Sequence, residues 1–157
     1  MSNRTAKIIE NRASTAKRHF TLNIGLVASD RFSERAQSRV LPANPNTVDV
    51  LRVPSIIADI IHTFQARGFN VISYRVAQSG TEPTLVIRVS TERAYADHAL
   101  LCTANYYAQD CIAVVEGTEG KLVGRYKAIW GDYNPAYFIP LFKTAVVEEN
   151  VNVLDVW

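Results

Sequence analysis

Phe69-Asn-Val-Ile-Ser-Tyr-Arg-Val-Ala77 and Thr84-Leu-Val-Ile-Arg-Val89 are two β-rich runs separated by Gln78-Ser-Gly-Thr-Glu-Pro83. Branched and aromatic residues suit a pleated, half-buried surface, whereas Ser, Gly, Thr and Pro in sequence are turn chemistry. The spacing predicts a hairpin with a six-residue loop. What flanks the hairpin decides the fold. Upstream, Ile56, Ile57, Ile60, Ile61 and Phe64 recur at helical spacing, and Gly68 is the expected left-handed terminator. Asn46 or Thr47 is a cap candidate there, and Pro54 either makes the stretch before it a separate turn or sets the first turn at Ser55. Downstream, Ser90 or Thr91 reads as the cap of a second helix with Leu100, Leu101, Ala104, Tyr107 and Ala108 on one face.

Farther out, Phe20-Thr-Leu-Asn-Ile-Gly-Leu-Val-Ala28 alternates and then turns apolar, as a strand entering a core does. Cys111-Ile-Ala-Val-Val115 is a short apolar strand, which Gly117-Thr-Glu-Gly120 turns into Lys121-Leu-Val-Gly124, a second hairpin. Val151-Asn-Val-Leu-Asp-Val156 alternates and reads as a last strand. Hairpins alternating with helices predict an α+β class: one two-layer domain, an antiparallel sheet with two main helices on one face. Residues 1–18 read as an N-terminal arm and 19–157 as the single domain. Ser29 to Asn46 reads as a long loop, a length usually reserved for function or disorder.

A chain of 157 residues buries one core. Hydrophobic residues at 48% and charged residues at 20% are the composition of a folded protein. The net charge of +2 is uneven. Residues 1–18 hold five cations against Glu10 alone, which leaves twelve cations and fourteen anions in the rest. A globule of net negative charge is a poor phosphate-backbone binder, so no DNA partner is expected. No apolar run reaches the roughly 18–20 residues of a membrane span, and no apolar segment follows the N-terminal charges. Cys102 and Cys111 read as reduced core residues with no close His partner, so neither a metal nor a disulfide is expected and the compartment is cytoplasmic.

Tests for catalytic chemistry return little. No phosphate loop G-x-x-x-x-G-K-[ST], G-x-G-x-x-G or G-x-S-x-G occurs. His19-Phe-Thr21 matches the H-x-[ST] motif of small phosphodiesterases once, but His62 and His98 supply no second copy. A cofactor is not indicated. Residues 125–138 point to binding instead: Arg125, Tyr126, Lys127, Trp130, Tyr133, Asn134, Tyr137 and Phe138 crowd into fourteen positions. Aromatic faces stack on bases, Arg forks onto phosphate oxygens, and Asn reads a base edge. Gly124 and Gly131 would let a backbone approach a ligand. The competing reading is an aromatic mini-core sealing one end of the sheet.

Asn23-Ile-Gly-Leu26, Ser79-Gly-Thr-Glu-Pro-Thr-Leu-Val-Ile87, Tyr107-Ala-Gln-Asp-Cys-Ile-Ala-Val114 and Trp130-Gly-Asp-Tyr-Asn-Pro-Ala-Tyr-Phe-Ile139 follow in order along the chain. The set resembles small phage proteins of the first-described anti-Thoeris "sponge" family, over roughly residues 20–142. The resemblance implies a non-catalytic homo-oligomer in the host bacterial cytoplasm. Such a protein holds a cyclic ADP-ribose-type immune signal intact between subunits, and some members also hold cyclic oligonucleotides. The N-terminal arm and the 29–46 loop depart from the compact family pattern.

Two phosphates need charge-assisted donors, for which Arg125, Arg88, Arg75 and Arg31 are candidates. Arg75 and Arg88 lie on paired strands and could share a sheet face, or simply face solvent. Gln109 and Asp110 either bond ribose hydroxyls or cap the second helix. Three functions remain: a nucleotide-sequestering protein, a small phosphodiesterase or hydrolase of such a signal, and a phage structural or assembly protein without a small ligand.

Overall fold

The computed structural model describes residues 16–79 and 82–126. The element order is β1 (Arg18–Gly25), α1 (Glu34–Gln37), α2 (Thr47–Val50), α3 (Val53–Ala66), β2 (Asn70–Ser79), β3 (Glu82–Thr91), α4 (Ala96–Tyr106), β4 (Ile112–Glu116) and β5 (Glu119–Val123). The strands form one sheet in the order β2-β3-β1-β4-β5, antiparallel at every seam. Each long helix links strands that flank a third: β1-α3-β2 brackets β3, and β3-α4-β4 brackets β1. This is the order of the ferredoxin-like β-α-β-β-α-β arrangement, extended at one edge by β5.

Strand alternation assigns the two faces. Phe20, Leu22 and Ile24 of β1 lie beside Val89, Ile87 and Leu85 of β3 and pack with Ile56, Ile60 and Phe64 of α3 and Ala96, Leu100 and Ala104 of α4. The intervening residues Thr21, Asn23, Val86, Arg88, Ser73 and Arg75 share the opposite face. A single α+β domain with its two main helices on one face is therefore observed. Tyr107, fully buried, donates its hydroxyl to Asp59 of α3 at 2.7 Å and shares a 2.7 Å bond with Thr63, which ties the two helices together. Burial, reinforced by the Asp59 bond, pushes this phenol above its ordinary pKa.

Asn46 closes a capping box with Asp49 around the separate turn α2, and Pro54 sits in the first turn of α3. Helix α3 ends as expected, with Gly68 at φ 88°, the Gly68 N–H bonded to Gln65 and the Phe69 N–H to Phe64.

Four expectations are corrected. The β2–β3 hairpin has no six-residue loop, because pairing continues to Gln78↔Pro83 and Ser79↔Glu82. Pro83 lacks an N–H, but its carbonyl still accepts from Leu26 at 3.0 Å. Ser90 and Thr91 cap no helix. They finish β3, where the Thr91 hydroxyl donates to the Gly68 carbonyl and accepts from the Arg93 N–H, and α4 begins after Tyr95. The 29–46 segment is no open loop, since Ala36, Val40 and Leu41 are buried and Leu41 bridges Val27 beside β1. Cys102 is half-buried rather than core, and its sulfur lies 3.5 Å from His98 Nε2 one turn earlier, a neighbour given by i, i+4 spacing. Cys111 is buried, as expected of a core residue. Of the expected arm over residues 1–18, residues 1–15 lie outside the described residues and Arg18 opens β1; the expected strand over 151–156 also lies outside them.

Candidate functional site

The site forms where β1 leaves the sheet. Its exit is fixed by four backbone bonds: Leu26 N–H to Pro83, Leu41 N–H to Leu26, Ala28 N–H to Leu41 and Ser29 N–H to Ala108, at 2.8–3.0 Å. Ala108 belongs to the end of α4, where the Ala108 N–H bonds Asn105 and the Gln109 N–H bonds Ala104. That is the same Schellman closure as at Gly68, with an alanine held at φ 53° where glycine is the usual occupant. A left-handed non-glycine costs about 1–2 kcal/mol, and such strain concentrates at functional positions.

Around this junction an open cleft of about 330 Å³ is lined by Val27, Ala28, Ser29, Asp30, Arg31, Ala43, Glu82, Ala108, Gln109 and Asp110. A second hollow of about 550 Å³, reaching to Pro45 and Val50, shares Val27, Ala43 and Glu82 with it. The two together have the size of ordinary small-molecule sites.

Asp110 organises one wall. It accepts from the Ser29 hydroxyl at 2.6 Å and from Arg31 Nη1 at 3.5 Å. The Arg31 side chain is 46% exposed and Asp110 13%. A pair so open contributes at most about 1 kcal/mol, so it aims the guanidinium more than it stabilises the fold. The guanidinium also lies 5.9 Å from the centre of the Tyr126 ring. Tyr126 in turn meets Phe32 edge-on at 5.4 Å, and Arg125 stands 5.8 and 5.9 Å from the same two rings. Gly124 brings this rim into place. A Cβ there would overlap the Asp110 carbonyl and the Cys111 Cα, so only glycine lets the chain pass and the Tyr126 N–H reach the Asp110 carbonyl at 3.0 Å. The glycine expected to admit a ligand instead admits the neighbouring strand.

The amide nitrogen of Gln109 takes a structural role. It is buried, and its amide nitrogen donates to the carbonyls of Val27 at 3.1 Å and Tyr107 at 3.0 Å. Glu82 faces the cleft half-buried, with no side-chain hydrogen bond or ion pair among the described residues, and burial alone pushes its carboxyl above the ordinary range.

Of the residues singled out from sequence, Arg31, Gln109, Asp110 and Arg125 converge here. Arg75 and Arg88 do not. The register places both on the sheet face opposite the helices, as their pairing suggested, but half-buried rather than solvent-facing. Trp130, Tyr133, Asn134 and Phe138 lie outside the described residues. Sequence reasoning singled out Tyr126 with the 125–138 segment but missed Ser29, Phe32 and Glu82 as its neighbours. Glu82 beside Pro83 reads as a turn residue, and Ser29 and Phe32 carry no signal, because contacts such as Ser29 to Asp110, 81 residues apart, assemble the group. Among the described residues no His, Cys, Asp and Glu cluster could hold a metal ion, and no helix is long and apolar enough to cross a membrane.

No protein-family model, curated protein or solved structure matches this chain.

Proposed function

We propose that the protein is a non-catalytic binding protein that sequesters a cyclic ADP-ribose-type signal nucleotide, suppressing a bacterial anti-phage defence from within the host cytoplasm. The observation that carries the reading is Arg31. Its guanidinium is held between the Asp110 carboxylate and the Tyr126 ring at the mouth of a ligand-sized cleft. Arg31 and Arg125 supply forked donors for a pyrophosphate, and the Phe32–Tyr126 pair supplies an aromatic surface for a base. The sequence resemblance to the anti-Thoeris sponges supports the ligand class and the absence of chemistry. Homo-oligomerisation is part of the proposal, and a light-scattering mass near 17.5 kDa would contradict it.

Calorimetric titration with cyclic ADP-ribose and its linkage isomers tests the binding, and heat denaturation of the complex tests the fate of the ligand. Sequestration predicts saturable binding and return of the unaltered nucleotide. A hydrolase would return cleaved nucleotide, and a purely structural protein would bind none.

A further inference from the structure

Arg31 accounts for an anion, but the opposite wall of the cleft has the reverse chemistry. Glu82 and Gln109 converge over Gly25: a Cβ on residue 25 would overlap Glu82 Oε2 and stand 2.8 Å from Gln109 Oε1. The orientation of Gln109 is fixed, because its nitrogen donates to the Val27 and Tyr107 carbonyls, which leaves the amide oxygen turned toward Gly25. Two acceptor oxygens therefore share one small space above a residue with no side chain, at the edge of the same cleft as Arg31. A phosphate there would meet two acceptors and no donor. A group with two adjacent donors would satisfy both oxygens.

We propose that Glu82 and Gln109, with Gly25 as the floor between them, form a subsite for the vicinal hydroxyls of a ribose, while Arg31 takes the phosphate. The inference rests on the nucleotide reading above and deepens it. It makes Gly25 a specificity-determining residue whose absent side chain keeps the Glu82 carboxylate in the cleft. Glu82 sits at the end of a flexible side chain, so alanine at position 25 displaces that carboxylate more readily than it disturbs the β1 backbone. The raised carboxyl of Glu82 fits the same picture, since burial without a cation among the described residues leaves it in want of donors.

The test compares cyclic ADP-ribose with its 2′-deoxy analogue on wild type, Gly25→Ala, Glu82→Ala and Glu82→Gln, with urea unfolding of each variant alongside. A hydrogen bond to a charged group predicts that wild type prefers the ribose form by about tenfold or more. Gly25→Ala and Glu82→Ala should reduce that ratio to near one, and Glu82→Gln, which keeps an acceptor, should retain part of it. If Gly25→Ala fails to fold, the two Glu82 variants carry the test. Equal wild-type affinities, or a preference that survives Glu82→Ala, overturn the ribose subsite and leave the nucleotide reading standing. No binding of either compound to wild type overturns both.

Discussion

Two regions of one sheet carry arginines that the sequence makes equally attractive, and they differ in how they are built. Arg75 and Arg88 stand on β2 and β3, where a ladder that runs in constant register from Ser73 to Ser79 decides their face. Arg31 and Arg125 stand on irregular segments at the sheet's end, where Asp110, Phe32 and Tyr126 come to them from distant parts of the chain. The ladder region is half-buried and integral to the sheet. The end region has an open cleft, a strained Ala108 and a carboxylate with no side-chain partner among the described residues. Regular pairing supplies the scaffold, and the proposed site lies at the junction where it stops.

The largest expected effect separates the regions by ligand affinity. Arg31→Ala should weaken nucleotide binding about 10- to 150-fold, the worth of one charge-assisted bond, whereas Arg88→Ala should leave it within about twofold. Calorimetry on both variants checks this, and the reverse pattern would move the site to the ladder face. Next in size is Gln109→Ala. Losing the amide leaves the Val27 and Tyr107 carbonyls short of a donor and should cost about 1–3 kcal/mol in urea unfolding of the free protein.

Ala108→Gly is a smaller test of the strained junction. Relief of the left-handed alanine should raise stability by up to about 1 kcal/mol, less whatever the buried methyl contributes, whereas Gly68→Ala at the matching helix end should lower it by about as much. A lower melting temperature for Ala108→Gly would mean that the junction is not strained.

Glu82 gives a pH signature. Its folded carboxyl titrates above the unfolded one because burial disfavours the charge. As pH rises through the ordinary carboxylate range the unfolded chain releases its proton first, so stability falls with pH across that window. Glu82→Gln should flatten this slope and be the more stable form at neutral pH. Melting curves at a series of pH values check the sign. Smallest of all, Arg125→Ala should shift the melting free energy of the free protein by less than about 0.5 kcal/mol, because the side chain is exposed and, among the described residues, lies near two rings at 5.8 and 5.9 Å.

The two helix ends explain what could be read from the chain and what could not. Gly68 announced its left-handed turn because glycine is the residue that needs no steric concession there. Ala108 adopts the same conformation and carries no such signal, since only the tertiary bond from Ser29 and the closure at Ala104 hold it. Alternation at Phe20, Leu22 and Ile24 made the core face of β1 legible, Pro54 made the start of α3 legible, and Asn46 marked the separate turn α2 before it. The hairpin turn was misjudged because Gln78 and Pro83 look like loop residues but still pair at the sheet edge. Arg31 and Asp110 were each visible as residue types. Their meeting was not, because it depends on the tertiary bonds from Ser29 to the Ala108 carbonyl and the Asp110 carboxylate.

The most direct measurement of the central claim is an NMR titration of isotope-labelled protein with cyclic ADP-ribose, following backbone amides. The account predicts saturable shifts confined to residues 25–32, 82–83, 108–110 and 125–126. Shifts centred instead on Ser73, Arg75 and Arg88, or none at millimolar nucleotide, would contradict it.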